Sequence, residues 1–397
     1  MDSNKSYKWY ILVLIGLTAT LVMAMPGMAI PVLFAEISDD LDLSLVQIGA
    51  VWGAGSLAGM FTALLGGILG DRFGTRRTLA IGCLAIGLIG ATRGFSNNFP
   101  ALAGTMLLTG FIGSVIPLNL HKACGVWFSG KRLGLANGVV SAGMALGFMS
   151  GSMVSASVLS PWLGGWRQVL WFYGAVAVII SIPWALSKSA PGDLSLAKQS
   201  AGTVSIRKSI AHVARIRNVW LLGGALLGIG GCIQGFLGYL PLYLREIGWS
   251  PVQADTALAS FHAVSLAAVF PIAYFSDRLD TRRWFLIAAS LMTSIGVGTL
   301  AFASGSAIWL AVVFAGIVRD GFMAIFMTLV IEQKGVGPKH AGIAIGLTLT
   351  LSQLGGLLAP PLGNSLGIFN LRFPFILWAV MALFGLVCLT ILTEEKP

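Results

Sequence analysis

Arg319 and Asp320 stand side by side near the middle of an apolar run, 307–330. Ionisable groups are costly in hydrocarbon, and where they occur they mark binding or proton-carrying sites. Arg319 is a permanent cation whose planar fork suits a carboxylate, so it is the first candidate for holding an anion. Asp320 is the first candidate proton carrier, because a buried carboxyl changes charge at accessible pH. His262, Gln234 and Gln353 fall at a similar depth in other apolar runs, and His262 offers either ligand binding or a proton relay. Earlier in the chain, Asn119, His121 and Lys122 follow one another in a fourth run. Arg319, Lys122 and the two histidines outweigh Asp320, and an anionic ligand would balance that surplus. Helix neighbours point ~100° apart, so Arg319 and Asp320 are expected to diverge, one lining a cavity and the other meeting a neighbouring helix. The rival reading is structural: an ion pair bracing this run against the next ones.

These residues need elements that hold them in hydrocarbon, and the composition supplies them. The chain has 397 residues, 56% hydrophobic and only 10% charged, against about 25% charged in soluble domains. That excludes a soluble enzyme, a disordered chain and a disulfide scaffold, and leaves a polytopic, all-α membrane protein. A spanning helix takes ~20 apolar residues. Reading at that length gives about twelve candidates, from 10–34 through 254–275 and 284–303 to 374–393. Cys83, Cys124, Cys232 and Cys388 each lie inside an apolar run without metal-ligand spacing, so neither a metal nor a cofactor is implied. The net charge of +10 is scattered over short hydrophilic breaks, which argues against a nucleic-acid surface.

The breaks set the topology. Nineteen of the 25 Lys and Arg lie on one side and four on the other. By the positive-inside rule the first side is cytoplasmic, with both termini inside and Glu36–Asp42 outside. A bacterial inner membrane is the expected location. The apolar run after Lys5 and Lys8 is too long for a signal peptide. A hydrophilic stretch divides the chain, giving an N-terminal six-helix bundle at 1–187, a cytoplasmic linker at 188–218 and a C-terminal six-helix bundle at 219–397. Ile206–Ala214 is expected as a short amphipathic helix at the inner surface.

The halves repeat each other. Pro31-x4-Glu36-Ile37 recurs as Pro241-x4-Glu246-Ile247. Asp71-Arg72-x-x-Thr75-Arg76-Arg77 recurs as Asp277-Arg278-x-x-Thr281-Arg282-Arg283. Gly134-Leu135-Ala136-x-Gly138-x8-Gly147 recurs as Gly342-Ile343-Ala344-x-Gly346-x8-Gly355. With six spans per half the repeats are parallel. Gly67-Ile-Leu69-Gly-Asp71-Arg72-Phe-Gly74-Thr75-Arg76-Arg77 resembles motif A of the major facilitator superfamily, and it sits between spans two and three as in that family. Thr75 replaces a basic residue, and Asp280 replaces the glycine in the second copy. The resemblance implies two pseudo-symmetric six-helix bundles, transport by alternating access, and a gating motif at Gly67, Asp71, Arg72, Gly74 and Arg76 with Asp277 and Arg278. Charge–dipole contacts at such a motif would stabilise one of the alternating states.

Family signatures narrow the expectation. The fourth-span arginine of proton-coupled members is Met106 here, and the fifth span lacks the antiporter Gly-Pro. Glu332–Pro338 followed by Gln353-Leu-Gly-Gly356 resembles bacterial cyanate and organic-anion porters. The expected activity is therefore secondary transport of a small organic anion of monocarboxylate type, proton-coupled, by a monomer in the lipid bilayer. The alternative is a proton antiporter exporting drugs or metabolites. A membrane enzyme is disfavoured, since no H-E-x-x-H and no paired carboxylates within the apolar runs occur.

Overall fold

The protein is described from a computed structural model covering residues 3–129, 131–188, 206–279 and 282–392; side chains at 3–6, 63–72, 131, 206–208, 270, 273–279, 324 and 338–339 fall outside the description. Every regular element among the described residues is helical. Two compact units form: Met1–Asp42 with Phe61–Gly202, and Leu43–Met60 with Thr203–Pro397. The stretch 43–60, expected with the first six spans, thus belongs to the second unit.

The first unit is built from α1 (Ser3–Leu17), a π-helical segment (Thr18–Ala24), α2 (Met25–Leu41) and the later part of α3 (Leu45–Phe73). It continues with α4 (Thr75–Thr92), α5 (Phe99–Gly113), α6 (Val115–Trp127) and α7 (Lys131–Val154). A second π segment (Ser155–Leu159), α8 (Ser160–Leu163) and α9 (Trp166–Leu186) complete it. The second unit adds α10 (Ile206–Val213), α11 (Arg217–Glu246), α12 (Pro251–Leu279), α13 (Arg282–Thr299), α14 (Ser306–Gly316), α15 (Arg319–Ile331), α16 (Gly337–Gly367) and α17 (Phe373–Ile391). Among the described residues, ten helical stretches are long and apolar enough to cross a membrane. The other two expected spans, 254–275 and 284–303, are the helical α12 and α13.

Small residues set the helix spacing. Hydrocarbon gives no hydrophobic drive for one helix to pack on another, so close van der Waals approach has to supply the energy. The repeated glycines show this in both units. A Cβ on Gly147 would lie 2.7 Å from the Thr20 carbonyl oxygen in the π segment, so α7 packs there with its bare Cα. The matching Gly355 of α16 presses in the same way against the Leu227 carbonyl of α11. In the first unit α4 and α9 cross where Gly87 and Gly174 meet, each within 2.7 Å of the other's carbonyl if a Cβ were added.

Charged residues then fasten helix ends. At the N-terminal end of α4, Arg76 donates to the Ala185 carbonyl in the last turn of α9. In the second unit the neighbouring repeat position does similar work. Arg283 donates to the Leu389 and Thr390 carbonyls at the end of α17, at 3.0 and 2.6 Å. A cation at a helix C-terminus meets its unpaired carbonyls and negative dipole end. At the opposite ends of the helices, Asp40 accepts from Trp166 Nε1 at 3.1 Å and Arg167 Nη2 at 2.7 Å, closing α2 onto α9. Arg245 of α11 pairs with Asp255 of α12 at 2.6 Å.

The linker end is also fixed. Val213 is fully buried, His212 Nε2 meets the Gly335 carbonyl at 2.8 Å, and the His212 and His340 rings lie 4.7 Å apart. Asn218 donates to Gln333 at 2.8 Å. The helix expected at 206–214 therefore packs on the second unit through Val213 and His212, with Ile210 exposed.

The Arg245–Asp255 pair yields a stability prediction. The Asp255 side chain is 1% exposed and that of Arg245 13%, and removing one partner of a buried pair leaves an uncompensated charge. Asp255→Ala should destabilise the detergent-solubilised protein by about 3–5 kcal/mol, seen as a lower thermal midpoint. Asp255→Leu with Arg245→Met should recover most of that loss.

Candidate functional site

The tenth span is broken at its charged residues. α14 ends at Gly316, Ile317 and Val318 form a turn, and α15 begins at Arg319. Gly316 allows the close approach that precedes the break, since a Cβ there would sit 2.6 Å from the Phe261 carbonyl of α12. The fourth span breaks at the matching place, between α5 and α6 at Ser114.

At the start of α15 the backbone N–H groups have no partner within their own helix. The Asp320 N–H donates to Ser265 Oγ of α12 at 3.1 Å, and its carboxylate lies in the first helical turn, where the positive dipole end favours it. Arg319 Nη1 donates to Asp320 Oδ1 at 2.7 Å. The divergence expected of helix neighbours is therefore corrected: the arginine stem is long enough to fold back onto the adjacent carboxylate. Both side chains keep some exposure, 21% and 27%. His262, one turn before Ser265 on the same face of α12, is 1% exposed. It packs against the Phe261 ring and interacts electrostatically with Arg319. The second unit thus brings together Arg319, Asp320 and His262, along with Ser265. The serine was not singled out in the sequence, although its spacing of three from His262 carries the signal.

Gln234 and Gln353 both approach α3 within the second unit. A Cβ on Gly59 of α3 would overlap the Gln353 amide, and one on Gly356 would lie 2.7 Å from Ser56 Oγ and 3.5 Å from Gln234 Cγ. Trp52 Nε1 donates to the Gln234 backbone carbonyl at 2.7 Å. Neither Trp52 nor Ser56 was a candidate. The small-residue spacing Gly49, Gly53, Ser56, Gly59 is the helix-packing signal that would have drawn attention to this face.

The first-unit candidates do not converge. Asn119 is fully buried and donates to the Val115 carbonyl of its own helix at 2.8 Å. His121 Nδ1 contacts Asn137 Oδ1 of α7 at 2.9 Å, and Lys122 is half-buried. In the π segment Thr20 Oγ1 lies 2.9 Å from the Gly16 and Gly143 carbonyls, tying the first span to the fifth.

For the motif between spans two and three, the backbone of Gly67, Asp71 and Arg72 belongs to α3 and that of Asp277 and Arg278 to α12. The side chains of Asp71, Arg72, Asp277 and Arg278, and all of Asp280, lie outside the described residues. Gly74 joins α3 to α4 at φ 78° and ψ 156°, a region that only glycine enters without strain.

The sequence model of the Major Facilitator Superfamily matches residues 12–254 and 243–397. The chain is 27% identical over 363 residues to the 3-(3-hydroxy-phenyl)propionate transporter of Escherichia coli K12, covering 87% of this chain and 86% of that protein. It is 25% identical over 384 residues to the cis,cis-muconate transport protein of Acinetobacter baylyi, covering 89% and 87%. Among solved structures, a bacterial homologue of the human lysosomal transporter Spinster, inward-facing and occupied, superposes with a TM-score of 0.80 at 14% identity over 97% of each chain; this likeness concerns the fold.

The motif glycine gives the second prediction. Gly74→Ala should cost about 1–3 kcal/mol of stability, measured by thermal unfolding in detergent. Gly125→Ala, where a Cβ meets open space within α6, should leave the midpoint unchanged or raise it.

Proposed function

The chain belongs to the Major Facilitator Superfamily, and on that premise we propose that it is a proton-coupled carrier of a small organic anion. It is a multi-pass membrane protein and a transporter rather than an enzyme. The observation that carries the anion reading is the Arg319–Asp320 pair at the break in the tenth span, partly exposed and held from behind by Ser265. A guanidinium stays charged at any accessible pH. While Asp320 is ionised it occupies Arg319. When Asp320 takes up a proton, the guanidinium is released and a substrate carboxylate takes its place, held by two parallel hydrogen bonds. Loss of that proton restores the internal pair and expels the anion, so proton and substrate travel together. We assign His262, one turn from Ser265 on α12, to ligand binding or proton relay beside the pair. The relatives named for carboxylic acids support the same substrate class.

We place the protein in a bacterial inner membrane as a monomer with both termini in the cytoplasm, following the distribution of Lys and Arg. Gln234 and Gln353 are assigned to the second unit's binding surface, and His121 and Lys122 to that of the first; Asn119, buried and bonded to its own helix, is left out of it. Asp71 and Asp277, with Arg72 and Arg278, are assigned to stabilising one of the alternating states.

Reconstituted vesicles test the reading. A panel of monocarboxylates should accumulate when the outside is acidic, and collapsing the pH gradient should stop it. Arg319→Lys should weaken substrate binding about tenfold or more, through loss of the paired hydrogen bonds, and Arg319→Ala should nearly abolish uptake. If the pair is only a brace, Arg319→Ala with Asp320→Ala restores both stability and transport, and the anion reading fails. Proton-driven efflux of cationic compounds in place of uptake would favour the exporter alternative.

A further inference from the structure

We propose that Ser56, Gln234 and Gln353 form a neutral hydrogen-bonding subsite that recognises a hydroxyl group on the transported acid. The proposal rests on the organic-anion reading and extends it to the part of the substrate away from its charge.

The three residues come from three helices of the second unit: Ser56 from α3, Gln234 from α11 and Gln353 from α16. Two glycines bring them together. The bare Cα of Gly356 admits both the Ser56 hydroxyl and the Gln234 stem, and the bare Cα of Gly59 lets the Gln353 amide lie flat against α3. Gln353 and Gly356 are three residues apart on α16 and so share a face. Gln234 is held at its backbone by Trp52 Nε1, which limits where its side chain can swing. The positions are therefore preset by packing rather than by bonds among the polar groups.

Their bonding capacity remains open. Among the described residues, neither amide and not the Ser56 hydroxyl has a hydrogen-bond partner. Both glutamines are half-buried, and Ser56 is 7% exposed. Partly open groups of this kind bond water until a ligand displaces it and supplies the bond itself. Arg319 lies 13 residues before Glu332 and Gln353 lies 13 residues after His340, so each stands ~20 Å along its helix from that end.

The chemistry selects the ligand group. Two amides and a hydroxyl carry no charge and do not titrate, so they give no special advantage to a carboxylate, which only accepts hydrogen bonds. A hydroxyl both donates and accepts, and an amide presents a carbonyl and an N–H side by side to meet it. A site built to bond a hydroxyl also rejects the analogue that lacks it, because its own polar groups are then left bare.

The experiment compares two acids that differ by one hydroxyl, 3-phenylpropionate and its 3-hydroxyphenyl analogue, in vesicles carrying the full chain. The wild type should prefer the hydroxylated acid. Gln353→Leu and Gln234→Leu, close in size to the native residues, should each reduce uptake of the hydroxylated acid by about tenfold or more. Uptake of the unsubstituted acid should fall less, so that the preference for the hydroxylated acid is lost. Gly59→Ala should copy Gln353→Leu by displacing the amide. If it fails to fold, the leucine variants decide alone. Uptake of both acids with no preference, or variants that lower both acids equally or neither, overturns the subsite and leaves the anion reading standing. Uptake of neither acid by the wild type, with transport of a cation instead, overturns the anion reading and the subsite with it.

Discussion

An arginine in an apolar surrounding cannot shed its charge, so the protein must bring something negative or polar to it. The described arginines of this chain meet that demand in graded ways. Arg245 has the buried Asp255 carboxylate. Arg283 has two carbonyls at a helix end. Arg93, only 5% exposed, donates to the Gly90 carbonyl at 3.0 Å and reaches Met106 Sδ at 3.7 Å. Arg319 has Asp320, a partner that remains partly open. A carboxylate that can be neutralised by one proton makes a reversible partner, whereas a carbonyl or a sealed carboxylate does not. This difference separates the candidate working pair from the braces.

A second constraint acts beside the first. Hydrocarbon supplies no water for loose backbone groups, so helices dominate and can break only where the freed groups find partners. The break at Ile317–Val318 meets this condition through Ser265, which accepts from the Asp320 N–H. The glycine contacts serve the same economy of space. Gly147 and Gly355 let equivalent helices of the two repeats approach a backbone carbonyl of the span that carries the Pro-x4-Glu-Ile repeat, and the repeat is thereby a packing rule as well as a sequence pattern. The same device at Gly59 and Gly356 leaves polar side chains beside bare backbone rather than beside other side chains.

Much was legible without coordinates. Apolar run length and charge placement determined helical class and span positions, because in lipid the backbone must satisfy itself and charges must sit in the breaks. The repeated Asp-Arg-x-x-Thr-Arg-Arg and the shared glycines pointed to two related halves. Gly74 was identifiable as a motif residue, and its backbone angles explain the choice of glycine. Arg319, Asp320 and His262 stood out because ionisable groups are costly in apolar runs, and the fold brings them together in the second unit.

Tertiary structure alone decided which of these groups meet. Helical periodicity set Arg319 and Asp320 apart, but a flexible stem and a helix break joined them. Asn119 was drawn back onto its own helix, since an amide side chain can bond the carbonyl one turn before it. Leu43–Met60 joined the second unit through Gly49, Gly53 and Gly59, a choice that depends on the surface of α16 rather than on any property of 43–60 itself. Sequence determined what each residue could offer, because cost and capacity belong to the side chain. Partnership belonged to the fold, because it depends on distances between segments far apart in the chain.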